Sequence, residues 1–229
     1  MSISLDEAVD LTRTGDVWVF RGRSVPDRAI QFTTNSPVNH VGMAVVLDDL
    51  PPLMWHAELG RSLPDMWTGT HQRGVQLHDL RDAVCVWANR YGQRAWLRQL
   101  EPSADAAMEQ AVLRTVARLD GTPFPSTAQL AWRWARGRVP HVRLPLPGWR
   151  DRAGQAADDR ETALPGGDRA LETAYCAEVV AVTYEAMGLL PAGRRPNWYD
   201  PGRFWSGDDL DLAGDARLGT EIEVAIPPR

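Results

Sequence analysis

The sequence predicts a single α+β domain. Three observations carry that expectation: strand-like apolar segments crowd residues 15 to 88, helical stripes take over between 105 and 190, and no internal repeat divides the chain. A chain of 229 residues can bury roughly 70% of its unfolded surface, so no disulfide or metal is needed to staple it.

Residues 15 to 21 open on a Gly-Asp turn and continue as an apolar strand. Ser24-Val25-Pro26-Asp27 has the chemistry of a helix start, with a capping serine and a proline in the first turn, for a short helix through Ala29, Ile30 and Phe32. From His40 to Leu47 the apolar density is that of a strand buried on both faces. A turn at 48 to 52 and a second strand from Leu53 to Glu58 complete an antiparallel hairpin. Further strands are expected from Gly74 to Leu77 and from Ala83 to Ala88, where Val84, Val86 and Ala88 alternate with Cys85 and Trp87.

Between Asp105 and Leu119, apolar residues at 107, 108, 111, 112, 116 and 119 make a helical stripe that Gly121-Thr122-Pro123 ends. A second helix is expected from Ser126 to Arg136 and a third from Tyr175 to Leu190, stopped by Gly188 and Pro191. The stretch 138 to 170 concentrates proline, glycine and arginine without a period and reads as an exposed insert within the one domain, 1 to 229. A last strand is expected from Glu221 to Ile226.

Composition excludes several functions. The net charge of -5 argues against a nucleic-acid partner, whose binding face is basic. All 25 basic residues are arginine, which removes a phosphate-loop lysine, Schiff-base chemistry and a Ser-Lys dyad. No G-x-S-x-G elbow is present. No apolar run is long enough for a membrane span, and the first residues, MSISLDEAVDL, lack the basic and apolar regions of a secretory signal. The expectation is a cytoplasmic chain in which Cys85 and Cys176 are reduced thiols.

Cys176 falls at the first turn of a helix, where unpaired N–H groups and the positive end of the dipole favour thiolate. His40, at the start of a buried strand, can serve as its base. His56 and Glu58 lie two apart on the partner strand, so both share a face, and either could accept the ring N–H of His40. Buried cysteines are more often inert, and strand-edge histidines more often plain surface residues. Cys85 reads as a core residue.

The order A-I-Q-F-T-T-N-S-P-V-N-H-V-G-M (Ala29 to Met43), then W-H-A (Trp55 to Ala57), then Y-C-A-E-V-V (Tyr175 to Val180) resembles the circularly permuted papain-like amidases. These are the YiiX type of the NlpC-like superfamily, related to lecithin retinol acyltransferase. The resemblance spans roughly residues 15 to 90 and 105 to 190. It implies a permuted papain-like fold with the nucleophile at a helix N-terminus, Cys176 as nucleophile, His40 as base, and Tyr175 as the tyrosine preceding the nucleophile. The type usually carries glutamate in its third position, where this chain has His56; histidine there is similar to the retinol acyltransferase branch, and Glu58 is the alternative. Gly121 to Phe124 departs from the family's G-x-P-Y in having phenylalanine for tyrosine.

The implied activity is a cysteine hydrolase, an amidase or peptidase, that passes through a thioester on a peptide, small-molecule or lipid-like amide or ester, with no cofactor. Acyl transfer or thioester hydrolysis on lipid-like acyl groups is the alternative. Two readings from other classes compete. His40, His56 and Cys176, with His71, His78 and Cys85 in reserve, have the atoms of a zinc site but none of the usual spacings. Ten tryptophans could instead line a groove in a binding module with no catalysis.

Overall fold

The computed structural model describes residues 2–23, 37–58, 60, 62–122, 176–192, 194, 198–205 and 210–228. The expected helices at 24 to 32 and 126 to 136, the insert at 138 to 170, and Gln31 and Tyr175 lie outside these residues.

The described elements, in chain order, are β1 (Ser2–Ser4), α1 (Leu5–Leu11), β2 (Val17–Arg21), β3 (His40–Val45), β4 (Leu53–Glu58), β5 (Gly74–Asp79), α2 (Leu80–Tyr91), β6 (Arg94–Arg98), β7 (Leu100–Glu101), α3 (Ala106–Leu119), α4 (Cys176–Ala186), a 3-10 turn (Pro201–Phe204), β8 (Arg217–Leu218) and β9 (Ile222–Ala225). Seven strands form one sheet in the order β1-β9-β6-β2-β3-β4-β5, and β7 pairs with β8 apart from it. Every pairing in the large sheet is antiparallel except β1 with β9. The class is therefore α+β with a mostly antiparallel sheet. Among the described residues, no helix is long and apolar enough to cross a membrane.

The strands alternate between two cores, as a period of two requires. Val17, Val19, Val41, Met43, Trp55, Ala57, Val75 and Leu77 face α3 and α4, meeting Val112, Val116, Val179 and Val180. Trp18, Phe20, Ala44 and Met54 face the other way, onto Leu80, Val84 and Trp87 of α2 and Leu5 and Ala8 of α1. α4 is buried along its length from Cys176 to Tyr184, the expected setting for a helix apolar all round. Two side chains pin it: Trp55 Nε1 donates to Thr183 Oγ1 at 3.1 Å, and Tyr184 Oη donates to the Gly15 carbonyl at 2.6 Å.

The hairpin of β3 and β4 forms with Met43 opposite Trp55 and Val45 opposite Leu53. Gly42 sits tightly inside it: a Cβ there would displace the Met54 side chain and press to 3.3 Å on the His56 Cβ. α3 runs as its stripe predicts, with the Asp105 carboxylate accepting the Met108 N–H at 2.8 Å as its cap.

The expected strand at 83 to 88 is a correction: these residues lie inside α2. The Val84 and Val86 alternation loses to stronger signals on either side. Asp79 caps the helix by accepting the Asp82 N–H at 2.8 Å. Leu80, Ala83, Val84 and Trp87 bury at helical spacing. Gly92 ends it in the left-handed region at φ 65°, a conformation glycine adopts without penalty. Cys85 is still a core residue, on a helix instead of a strand. The third helix begins its described span at Cys176 and stops at Ala186, short of the expected Leu190.

Candidate active site

His40, His56, His78 and Gln76 come from three adjacent strands and share the face of the sheet that α2 covers. The alternation explains the placement: each is flanked by residues of the opposite core, Val41, Trp55, Ala57, Val75 and Leu77. Register brings them together, with His56 directly opposite Gln76 and Met54 opposite His78.

The four side chains form one hydrogen-bonded line. His40 Nε2 lies 3.2 Å from His56 Nδ1, His56 Nε2 lies 3.1 Å from His78 Nδ1, and His78 Nε2 lies 3.2 Å from Gln76 Oε1. Trp87 of α2 closes over the first pair, edge-on to His40 at 5.0 Å and to His56 at 4.8 Å between ring centroids. Phe20 packs at 5.8 Å on His40. Both rings pack against the His40–His56 contact, in which His56 is fully buried and His40 partly so.

Burial lowers the pKa of all three rings. His40 falls to about 4, through desolvation and then the neighbouring His78. His56 is held well below 6.5 by desolvation and by the rings on both sides. His78 falls to about 4 by desolvation, partly offset by Asp65 and the Leu63 carbonyl. All three are neutral at pH 7.

That neutrality makes stability pH-dependent. An unfolded histidine binds its proton near pH 6.5, whereas folded His78 resists protonation until about pH 4. Between these values the unfolded chain holds more protons, so acidification favours unfolding and stability rises with pH. His78 alone accounts for about 3 kcal/mol across the window, at about 1.4 kcal/mol per pKa unit. Urea unfolding followed from pH 7 to 4 should show that loss or more, and His78→Gln should flatten the curve.

Cys176 sits at the N-terminus of α4, and its sulfur faces three backbone N–H groups: Val41, Ala177 and its own. Val41 is the residue after His40, so the thiol lies against the backbone beside the candidate base. Cys176 and His40 are not hydrogen-bonded to each other in this structure. The thiolate expected from the helix position does not follow. Desolvation is the largest influence, outweighs the N–H groups, and pushes the thiol up to about 12. At neutral pH the Cys176 thiol and the His40 imidazole are both uncharged.

His56, and not Glu58, is the residue hydrogen-bonded to His40. Glu58 turns to Ser62, accepting its hydroxyl at 2.7 Å and its N–H at 3.3 Å. Asn39, the residue before β3, accepts the Gly22 N–H at 2.6 Å and holds the end of β2.

Of the ligands the sequence suggested, a cation would find His56 and His78 together, with Glu58 in place of His40 and Cys176. The ligand atoms of His56, Glu58 and His78 lie within 4.8 Å of one another, a donor set zinc accepts. In this structure all four ring nitrogens of His56 and His78 are engaged in the line that runs from His40 to Gln76. His71 is exposed, and Cys85 belongs to the α2 core.

Sequence reasoning missed Gln76 as a site residue and saw His78 only as a spare ligand. The signal was present in Gly74–Asp79, where Val75 and Leu77 alternate with Gln76 and His78.

No family model matches the chain, and no curated protein matches it. Among solved structures, the metalloprotein yiiX from Escherichia coli O157:H7 is similar at 20% identity and a TM-score of 0.46, covering 77% of this chain and 67% of that one.

Proposed function

We propose that the protein is a cysteine hydrolase acting on amides or esters, with Cys176 as nucleophile, His40 as base and His56 as the residue that orients His40. The observation that carries this reading is the setting of Cys176. Its sulfur stands at a helix N-terminus against the Val41 N–H, and the residue before Val41 in the chain is a histidine whose Nε2 is tethered to His56; that ring lies on the α2 face of the sheet, so it must turn toward the sulfur for the reaction. His40 Nδ1, the ring nitrogen nearer the backbone, makes no hydrogen bond among the described residues.

Because the resting pair is neutral, the thiol proton moves to His40 Nδ1 as the sulfur attacks the carbonyl carbon. The oxyanion is met by backbone N–H groups at the start of α4, which point at charge only when it develops. His40 returns the proton to the leaving amine or alcohol as the C–N or C–O bond breaks, giving a thioester on Cys176. Water, deprotonated by the same nitrogen, attacks the thioester and releases the acid and the free thiol.

Acyl p-nitrophenyl esters and anilides of graded acyl length test this directly. The expected result is a mass increase of one acyl group, mapped to the Cys176 peptide and absent in Cys176→Ala. A panel that leaves Cys176 unmodified, or acylates Cys85 instead, would overturn the reading.

A further inference from the structure

The line of side chains does not stop at His56, and its far end decides what its near end can do. Gln76 Nε2 faces two backbone carbonyls, Gln72 at 3.2 Å and Gly74 at 3.4 Å. Carbonyls only accept, so the amide NH₂ must point at them and Oε1 must point at His78. An amide oxygen also only accepts, so His78 Nε2 must carry the ring proton.

Neutral imidazole has one N–H, so the rest follows by elimination. With Nε2 protonated, His78 Nδ1 is an acceptor. His56 Nε2 must then donate to it across 3.1 Å, which makes His56 Nδ1 the acceptor for His40 Nε2 across 3.2 Å. His40 is left with its proton on Nε2 and a bare lone pair on Nδ1. The reverse polarity, with the Gln76 amide turned over, would put the proton on His40 Nδ1 and block the nitrogen the base must use.

We infer that Gln76 and His78 are positioning residues that hold His40 in the Nε2–H tautomer through His56. Neither touches substrate. The role rests on the reading of His40 as the base for Cys176, but the tautomer can be read without any turnover.

Long-range proton–nitrogen correlation spectra of ¹⁵N-labelled protein at pH 7 separate protonated from bare ring nitrogens, with each histidine assigned by its loss in a His→Gln variant. The expected result is a bare Nδ1 and a protonated Nε2 on His40, His56 and His78 alike. In Gln76→Met, which removes the acceptor, the His40 Nε2–H form should lose its dominance and acylation of Cys176 should slow by at least about tenfold, the direction a wrong tautomer dictates. Gln76→Glu, which keeps an acceptor, should restore both.

A protonated Nδ1 on wild-type His40 would overturn the inference without needing any variant to fold. So would a Gln76→Met protein whose tautomers are unchanged, or stoichiometric zinc retained through dialysis, since a cation would take the nitrogens that the line uses. Correct tautomers in a protein that acylates nothing would instead refute the hydrolase reading and leave the tautomer line standing.

Discussion

Replacing His40 with alanine is expected to slow acylation of Cys176 by about 10²- to 10⁴-fold at neutral pH, the usual weight of a positioned base. Burial holds the Cys176 thiol at about 12, so unaided ionisation leaves about one thiolate in 10⁵ at pH 7 by the pKa relation. The backbone N–H groups at the sulfur favour the thiolate but are outweighed by burial. Turnover therefore depends on a base that takes the proton during attack.

The pH profile distinguishes this from damage to the fold. His40 releases its own proton at about 4, so the wild-type acylation rate should be nearly flat from weak acid to weak base. In His40→Ala the rate should climb about tenfold per pH unit as free thiolate accumulates. A variant that is slow and flat would mean that His40 supports structure and not proton transfer.

The largest expected loss of stability is at Trp55. The side chain is fully buried in the core between β4 and α4, and its indole N–H donates to Thr183 Oγ1 at 3.1 Å. Trp55→Ala should cost about 3–5 kcal/mol through the cavity and lost contacts, read as a lower urea midpoint at constant slope. Trp55→Phe keeps most of the ring and loses the hydrogen bond, so its cost should be smaller. A loss under about 1 kcal/mol in the alanine variant, small beside the usual range, would mean that α4 does not depend on this contact. Because Trp55 precedes His56 and Thr183 lies on the helix of Cys176, the alanine variant should also disturb acylation.

Legibility in the sequence followed locality. The hairpin carrying His40 and His56 was readable because both strands and their turn are contiguous, and a period of two puts both rings on one face. α3 was readable from its stripe and its Asp105 cap. α2 was misread because valines at 84 and 86 imitate a strand, while the decisive cap and terminator lie outside that window. β6 carries no comparable signal in the sequence, because its five residues begin and end on arginine. In the fold, Arg98 is buried and donates to the carbonyls of Gly219, Phe204 and Leu218.

The same limit applies to the site. Alternation puts His56 and Glu58 on one face beside His40 without choosing between them, and that Gln76 sits opposite His56 depends on a register across residues 59 to 73. Asp65 helps fix that register by accepting the Leu77 N–H at 2.9 Å. The helix position of Cys176 was readable, and its acidity was not, because desolvation depends on what packs around the helix.

The strand order carries a consequence for how the chain assembles. β1, residues 2 to 4, has β9, residues 222 to 225, as its only partner among the described residues of the large sheet. β9 also caps β6. During synthesis the strand at residues 2 to 4 therefore has no pairing among the described strands until residues 222 to 225 have been made. Pairings this distant in sequence close late and slowly. β6 meanwhile presents an open edge, the kind of surface that invites association between incomplete chains.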